Sequence, residues 1–198
     1  MSIADTIESG AARSAMIDSQ LRVSGVNDPR VLAAMASVAR EDYVPAAARG
    51  HAYIDRAIPL NHGHALPAPL VQGLMLSEAM PGAADHVLLV SCDSGYLAAL
   101  VEAMGASVEV VSAAEAVLRK GGKRFCDLLI IDGAVEQLPA GLVNELAEGG
   151  RVVTGLVVRG VTRLASGIKH GGAVTLTPLS ELGIPVLREF AAPQQWSF

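Results

Sequence analysis

The chain has 198 residues, 51% hydrophobic, 18% charged and only 4% aromatic, with 15 Lys plus Arg against 20 Asp plus Glu and a formal net charge of −5. That length accommodates one domain with an aliphatic core, with or without an N-terminal extension, and the apolar share argues against a long disordered tail. The acidic balance weighs against nucleic acid as a partner, no apolar stretch approaches the roughly 20 uncharged residues of a membrane span, and the N-terminus lacks the regions of a signal peptide, so a cytoplasmic location is expected.

Residues 5–22 carry Ile7, Ala11, Ala15, Ile17 and Leu21 at helical spacing, an amphipathic helix that needs a surface to pack on. Asn27-Asp28-Pro29 reads as a helix start, and Val31, Leu32, Met35 and Val38 form the stripe of a second helix to about Ala39. Pro59, Gly63, Pro67 and Pro69 make the stretch from Arg40 to residue 69 a long irregular connection, after which helical spacing resumes from Leu70 to Ala79.

The organising unit follows. Val87 to Val90 reads as a buried strand, Ser91 to Gly95 as a tight turn, and Tyr96 to Met104 as a helix ended by Gly105. Strand runs then recur at Ser107–Val111, Phe125–Asp132 and Arg151–Val158, with helices near Ala113–Lys120 and Pro139–Ala147, which is the pattern of a parallel sheet covered on both faces. Val161–Ile168 and Ala173–Leu179, separated by Lys169-His170-Gly171-Gly172, read as a closing antiparallel hairpin, and the tail through Trp196 to Phe198 as ordered. The basic run from Arg119 to Arg124 reads as a solvated loop, and Cys92 and Cys126 as buried hydrophobes without a disulfide.

With these residues in order, the chain resembles the protein-L-isoaspartate O-methyltransferase family of class I S-adenosylmethionine-dependent methyltransferases. The resemblance rests on Asp28-Pro29-Arg30-Val31-Leu32 through Met35, Ala39-Arg40-Glu41-Asp42-Tyr43-Val44-Pro45, Ala52-Tyr53, Pro59-Leu60, Gly63 and Pro69. It continues through Ser94-Gly95-Tyr96-Leu97-Ala98-Ala99, Asp132-Gly133-Ala134, Pro139, Leu146 and Gly149-Gly150-Arg151-Val152-Val153. It implies an α/β, Rossmann-like class I methyltransferase sandwich: a mostly parallel sheet ending in an antiparallel hairpin, with a helical N-terminal extension over residues 1–80 and the core over 81–198, one globular unit. It further implies S-adenosylmethionine as cofactor, isoaspartyl-containing proteins or peptides as substrates in protein repair, and a cofactor cleft at Ser91, Asp93, Gly95, Tyr96, Ser112, Asp132 and Gly133. It assigns no catalytic residue and no metal ligand. Methyl transfer from a sulfonium to a carboxylate needs alignment more than a strong base.

The chain departs from the family in four places. Where relatives carry an acidic residue and a Gly-x-Gly-x-Gly turn, Leu89, Ser91 and Asp93 stand at the acidic, first and second glycine positions and Gly95 alone is kept. Asp93 would meet the cofactor's own carboxylate, a like-charge contact, so the turn is either an adapted site or a structural turn with Asp93 capping the helix. The ribose-binding acid is replaced by Ser112 or, within alignment error, by Glu115. About a dozen residues separate Val111 from Phe125, too few for a helix, strand and helix. This truncates one sheet edge, guards it with Glu109 or leaves it to pair with a second copy. The substrate loop keeps Pro69 and loses both hydroxyls in Ala65-Leu66-Pro67-Ala68-Pro69, and the neighbouring His62 and His64 read as solvent-facing rather than metal-binding. Two functions compete: isoaspartyl carboxyl methyl transfer, and a catalytically inactive pseudoenzyme serving protein binding or self-association. A further possibility is a cleft that takes a ligand without an anionic group.

Overall fold

The computed structural model describes residues 3–121 and 125–192. The spacing from Ala11 to Leu21 yields α1 (Ile3–Met16), which loosens into a π-helical turn at Ile17–Leu21 and a 3₁₀ turn at Arg22–Ser24, so the helix expected over 5–22 changes winding before it ends. α2 (Pro29–Ser37) starts as its sequence requires. The Asp28 carboxylate accepts from the N–H groups of Arg30 and Val31, and Pro29 stands where no N–H is needed. The long connection is made of short 3₁₀ turns and a small antiparallel pair, β1 (Ile58–Pro59) with β2 (Ala65–Leu66). α3 (Pro69–Ala79) follows, ended by Met80 at φ 47°.

Strands and helices then alternate: β3 (His86–Ser91), α4 (Tyr96–Ala103), β4 (Ser107–Ser112), α5 (Ala113–Leu118), β5 (Cys126–Val135), α6 (Ala140–Glu145) and β6 (Leu146–Val158). The four strands are parallel, in the order β4-β3-β5-β6. β3 and β5 are apolar on both faces and are covered on both, Val87–Val90 and Leu128–Ile131 being buried throughout. Two two-residue turns close the sheet. Arg159-Gly160, at φ 52° and 80°, leads to β7 (Val161–His170), and Gly171-Gly172, at 58° and 80°, leads to β8 (Ala173–Val174). Positive φ at both positions matches the twist of the flanking strands. β9 (Thr177–Glu181) lies antiparallel beside β7. Lys169, expected in the turn, is instead a strand residue whose ammonium donates to the carbonyls of Val143 and Leu146 at the end of α6.

One apolar cluster runs from Met16 to Phe190, so the N-terminal helices share a core with the sheet. Among the described residues β4 is the outer strand, and Val110, Leu118 and Phe125 beside it are 47%, 77% and 61% exposed. Glu109 does not stand free to guard this edge: its carboxylate pairs with Arg119 at 2.9 Å, and Arg119 also binds Glu145 at 2.7 Å. The readings of Trp196 and Phe198, and of the middle of the basic run, lie outside the described residues.

Candidate functional site

In an open parallel sheet the ligand crevice lies beyond the carboxyl ends of the strands where the strand order reverses. Here that point is between β3, whose chain continues outward to β4, and β5 on its other side. Pairing of β3 with β5 stops at Val90 and Ile131, while β5 stays paired with β6 as far as Val135 and Leu156. The end of β5 therefore has a free side facing the lane beyond β3.

Residues 184–190 occupy that lane. The Ala134 N–H donates to the Pro185 carbonyl at 2.7 Å and the Leu187 N–H to the Ala134 carbonyl at 2.9 Å, which sets Val186 parallel beside Ala134. A strand residue has two in-plane neighbours; Gly155 of β6 takes one side of Ala134, so Val186 takes the side of β3. The Phe190 carbonyl accepts from Glu136 and Gln137, and the 3₁₀ turn Arg188–Phe190 packs on α5. Ile184, Leu187 and Phe190 are at most 3% exposed. Gly133 faces this strap so closely that a Cβ there would stand 2.6 Å from Leu187 Cγ.

The turn after β3 is bound up in the same way. The Ser91 hydroxyl donates to the Ser94 carbonyl at 2.9 Å, and Ser94 Oγ accepts from the Tyr96 N–H. Asp93 does not cap α4, whose N-cap is Gly95. It sits at φ 68°, a left-handed conformation that aspartate tolerates better than most residues, and its Oδ2 meets His64 Nδ1 at 2.7 Å and His62 Nδ1 at 3.3 Å. The other ring nitrogen of His64 meets Glu189 Oε1 of the strap at 2.9 Å. The His64 side chain is only 9% exposed, a correction to the solvent-facing reading, whereas His62 is 82% exposed. Burial works against a charge on His64, but its hydrogen bonds to Glu189 and Asp93 outweigh it and raise the pKa. Gly95 lies under the Tyr43 ring, 3.5 Å from where a Cβ would stand. At the end of β4, Ser112 and Glu115 are spent on each other: Ser112 Oγ accepts from the Glu115 N–H, and the Glu115 carboxylate accepts from the Ser112 N–H and hydroxyl.

Beneath the turn lies a dry polar chain. Arg40, fully buried, donates to the Ala52 and Pro67 carbonyls and, through Nη1, to Gln72 Oε1 at 2.6 Å. Gln72 Nε2 in turn donates to both oxygens of Asp132 at 3.0 and 3.1 Å, and the Cys92 thiol donates to Asp132 Oδ2 at 3.1 Å. Burial pushes the Asp132 carboxyl up to about 6 against its ordinary 3.8, even with these donors. The Arg40 guanidinium lies 4.9 Å from the Tyr96 ring centroid, and burial pushes the Tyr96 phenol up to about 12 despite that cation. Among the described residues, the Tyr96 hydroxyl has no hydrogen-bond partner.

Of the seven cleft residues expected from the sequence, Ser91, Asp93, Gly95 and Tyr96 form the turn, Asp132 lies buried behind it, Gly133 packs on the strap, and Ser112 is drawn off into the cap of α5. Sequence reasoning missed Tyr43, Arg40 and Gln72 as their partners, and His64, Leu187 and Glu189 as the groups that cover them. Ile184, Val186, Leu187 and Phe190, apolar residues close together near the C-terminus, are a local sign that this segment packs on something.

The ordered motifs point to one family, and comparison with known proteins agrees with that resemblance. The family model for protein-L-isoaspartate(D-aspartate) O-methyltransferase matches residues 11–119. A protein-L-isoaspartate O-methyltransferase of Koribacter versatilis is 34% identical over 165 residues, covering 71% of this chain and 74% of its own. One from Methanospirillum hungatei is 31% identical over 199 residues, covering 84% and 92%. Among solved structures, a Plasmodium falciparum protein described as a protein-L-isoaspartate O-methyltransferase in complex with S-adenosyl-L-homocysteine superposes with a TM-score of 0.72 at 18% identity, over 89% of this chain and 98% of that one. The sheet is thus that of the class I methyltransferases, and the chain belongs to the protein-L-isoaspartate(D-aspartate) O-methyltransferase family.

Proposed function

We propose that this chain is a family member that has given up methyl transfer and serves as a binding module on the methyltransferase frame. The observation that carries the reading is the strap: the crevice between β3 and β5, where the fold would receive S-adenosylmethionine, holds Val186, Leu187 and Glu189 of the chain itself. The donor set agrees. A sulfonium cofactor with a ribose needs an acidic acceptor at the end of β4 and open backbone at the turn. Here Glu115 and Ser112 satisfy each other, Tyr43 covers Gly95, and Asp93 puts a carboxylate where the cofactor's own would lie. The residues do not fit the cofactor.

In this reading residues 1–80 are an extension that shapes the surface of the 81–198 core, and the partner is a protein, or a second copy meeting the β4 edge where Val110, Leu118 and Phe125 are exposed. No described helix is long and apolar enough to cross a membrane. Calorimetric titration of the purified chain with S-adenosylmethionine and S-adenosylhomocysteine tests the proposal. No heat and no thermal shift at millimolar ligand is the expected result. Micromolar binding, roughly −8 kcal/mol, would overturn it and restore the reading that family membership favours, methylation of isoaspartyl carboxylates in damaged proteins, to be assayed next on an isoaspartyl peptide.

A further inference from the structure

The contact between the strap and the turn has a protonation state built into it. His64 Nδ1 faces Asp93 Oδ2 at 2.7 Å and His64 Nε2 faces Glu189 Oε1 at 2.9 Å, so both ring nitrogens meet carboxylate oxygens. An ionised carboxylate only accepts, and a neutral imidazole carries one N–H. In the neutral ring, one of the two contacts would set a nitrogen lone pair against a carboxylate oxygen. Only the imidazolium donates to both.

The three groups come from separate parts of the chain: His64 from the loop before β2, Asp93 from the turn after β3, and Glu189 from the strap, 125 residues from His64. Among the described residues, the other titratable group in contact with the cluster is His62 of the same loop, 3.3 Å from the same Asp93 oxygen and largely in solvent. Closing the strap therefore joins an imidazole to two carboxylates in a partly dry site, and closure and proton uptake are linked. We propose that residues 184–190 are a proton-linked strap, held more firmly over the crevice while His64 is an imidazolium clamped between Asp93 and Glu189, and loosened when that proton leaves. The sign follows from the contacts. Closure raises the affinity of His64 for its proton, so the latch is fully present below the pKa of the open form and is lost as pH rises through that of the closed form. The proposal rests on the strap's geometry and stands whether or not methyl transfer is lost.

Hydrogen exchange on the full chain between pH 5.5 and 8.5, corrected for intrinsic rates, reads the strap through the amides of Ala134, Glu136, Gln137 and Leu187, all of which bond to or within it. Their protection is expected to fall on the order of tenfold across that range, while amides between β5 and β6 hold theirs. In His64→Gln the protection should be lower at acidic pH and flat, and in His62→Gln it should follow the native profile. A flat native profile, or a fall that survives in His64→Gln or disappears in His62→Gln, overturns the proposal. Should His64→Gln fail to fold, NMR titration of the His64 ring in the native chain and in Glu189→Gln decides: the pKa must drop in the variant, and an unchanged value overturns the latch.

Discussion

Gly133→Ala separates a crevice filled by the chain from an open one by the sign of a stability change. Gly133 lies in β5 outside the left-handed range, so alanine meets no backbone strain there. With open space in front of it, the substitution would stabilise the fold by about 0.4–1 kcal/mol through the lost freedom of the unfolded chain. The strap reverses this. A Cβ would stand 2.6 Å from Leu187 Cγ, 2.9 Å from Cδ1 and 3.2 Å from Cδ2; rotation about χ2 leaves Cγ in place, so only a change of χ1, against the packing around this buried side chain, would clear it. Overpacking of this kind costs about 1–3 kcal/mol, leaving a net loss of roughly 0.5–2 kcal/mol. Leu187→Ala alone should cost about 2–5 kcal/mol, and in that background Gly133→Ala should turn into a gain of about 0.4–1 kcal/mol. Urea unfolding of the native chain, the two single variants and the double variant measures all four corners, and a coupling of roughly 1–3 kcal/mol is expected. A Gly133→Ala protein as stable as the native one, or more so, with no coupling to Leu187, would refute the placement of the strap.

Three further perturbations probe the groups around it. Arg40→Met strands Gln72 Oε1 and the Ala52 and Pro67 carbonyls and leaves buried Asp132 without its cation. A loss of about 3–5 kcal/mol is expected in urea, with little rescue by Arg40→Lys, because the three acceptors are spread around one guanidinium; a loss under about 1 kcal/mol would show the cluster to be dispensable. Asp132 has a folded pKa of about 6 against an ordinary 3.8, so native stability should fall through that window, by roughly 2.5 kcal/mol as pH rises from 4 to 7. Asp132→Asn should flatten that part of the profile, and an unchanged pH slope would remove the assignment. Ser112→Ala breaks the capping box and should cost about 1 kcal/mol with faster exchange in α5; unchanged stability and exchange would free Ser112 for a role toward a ligand.

How far the sequence reaches into this structure depends on the range of the interactions concerned. The β3 unit, the alternation of strand and helix and the closing hairpin are local patterns, and each formed within a few residues of its expected place. Where the reading slipped, a long-range contact decided: Lys169 left the turn because its ammonium satisfies the carbonyls at the end of α6, and Asp93 gave up helix capping for an imidazole 29 residues away. That Gly95 alone stands where relatives carry a Gly-x-Gly-x-Gly turn was visible residue by residue. What fills the space was not, because Tyr43, His64 and Leu187 are set against Gly95, Asp93 and Gly133 by the fold rather than by spacing along the chain.

Gly95 and Gly133 show why glycine alone does not mark a ligand site. In a nucleotide-type turn glycine is kept because a side chain would keep the ligand's atoms from the backbone. Here Gly133 is required by Leu187, where a Cβ does not fit, and Gly95 is roofed by Tyr43 at ordinary contact distance, where one would. The same residue type is thus held for packing at one position and is replaceable at the other. Each has a packing neighbour within the chain. The short α5 belongs to the same arrangement. Six residues of helix close off with Arg119 bound to Glu109 and Glu145, and the face of α5 toward the crevice receives the 3₁₀ turn Arg188–Phe190. The C-terminal segment has this helix to pack on: the turn Arg188–Phe190, with Phe190 buried, lies against it. The short α5 and the placement of the strap are two sides of one packing solution.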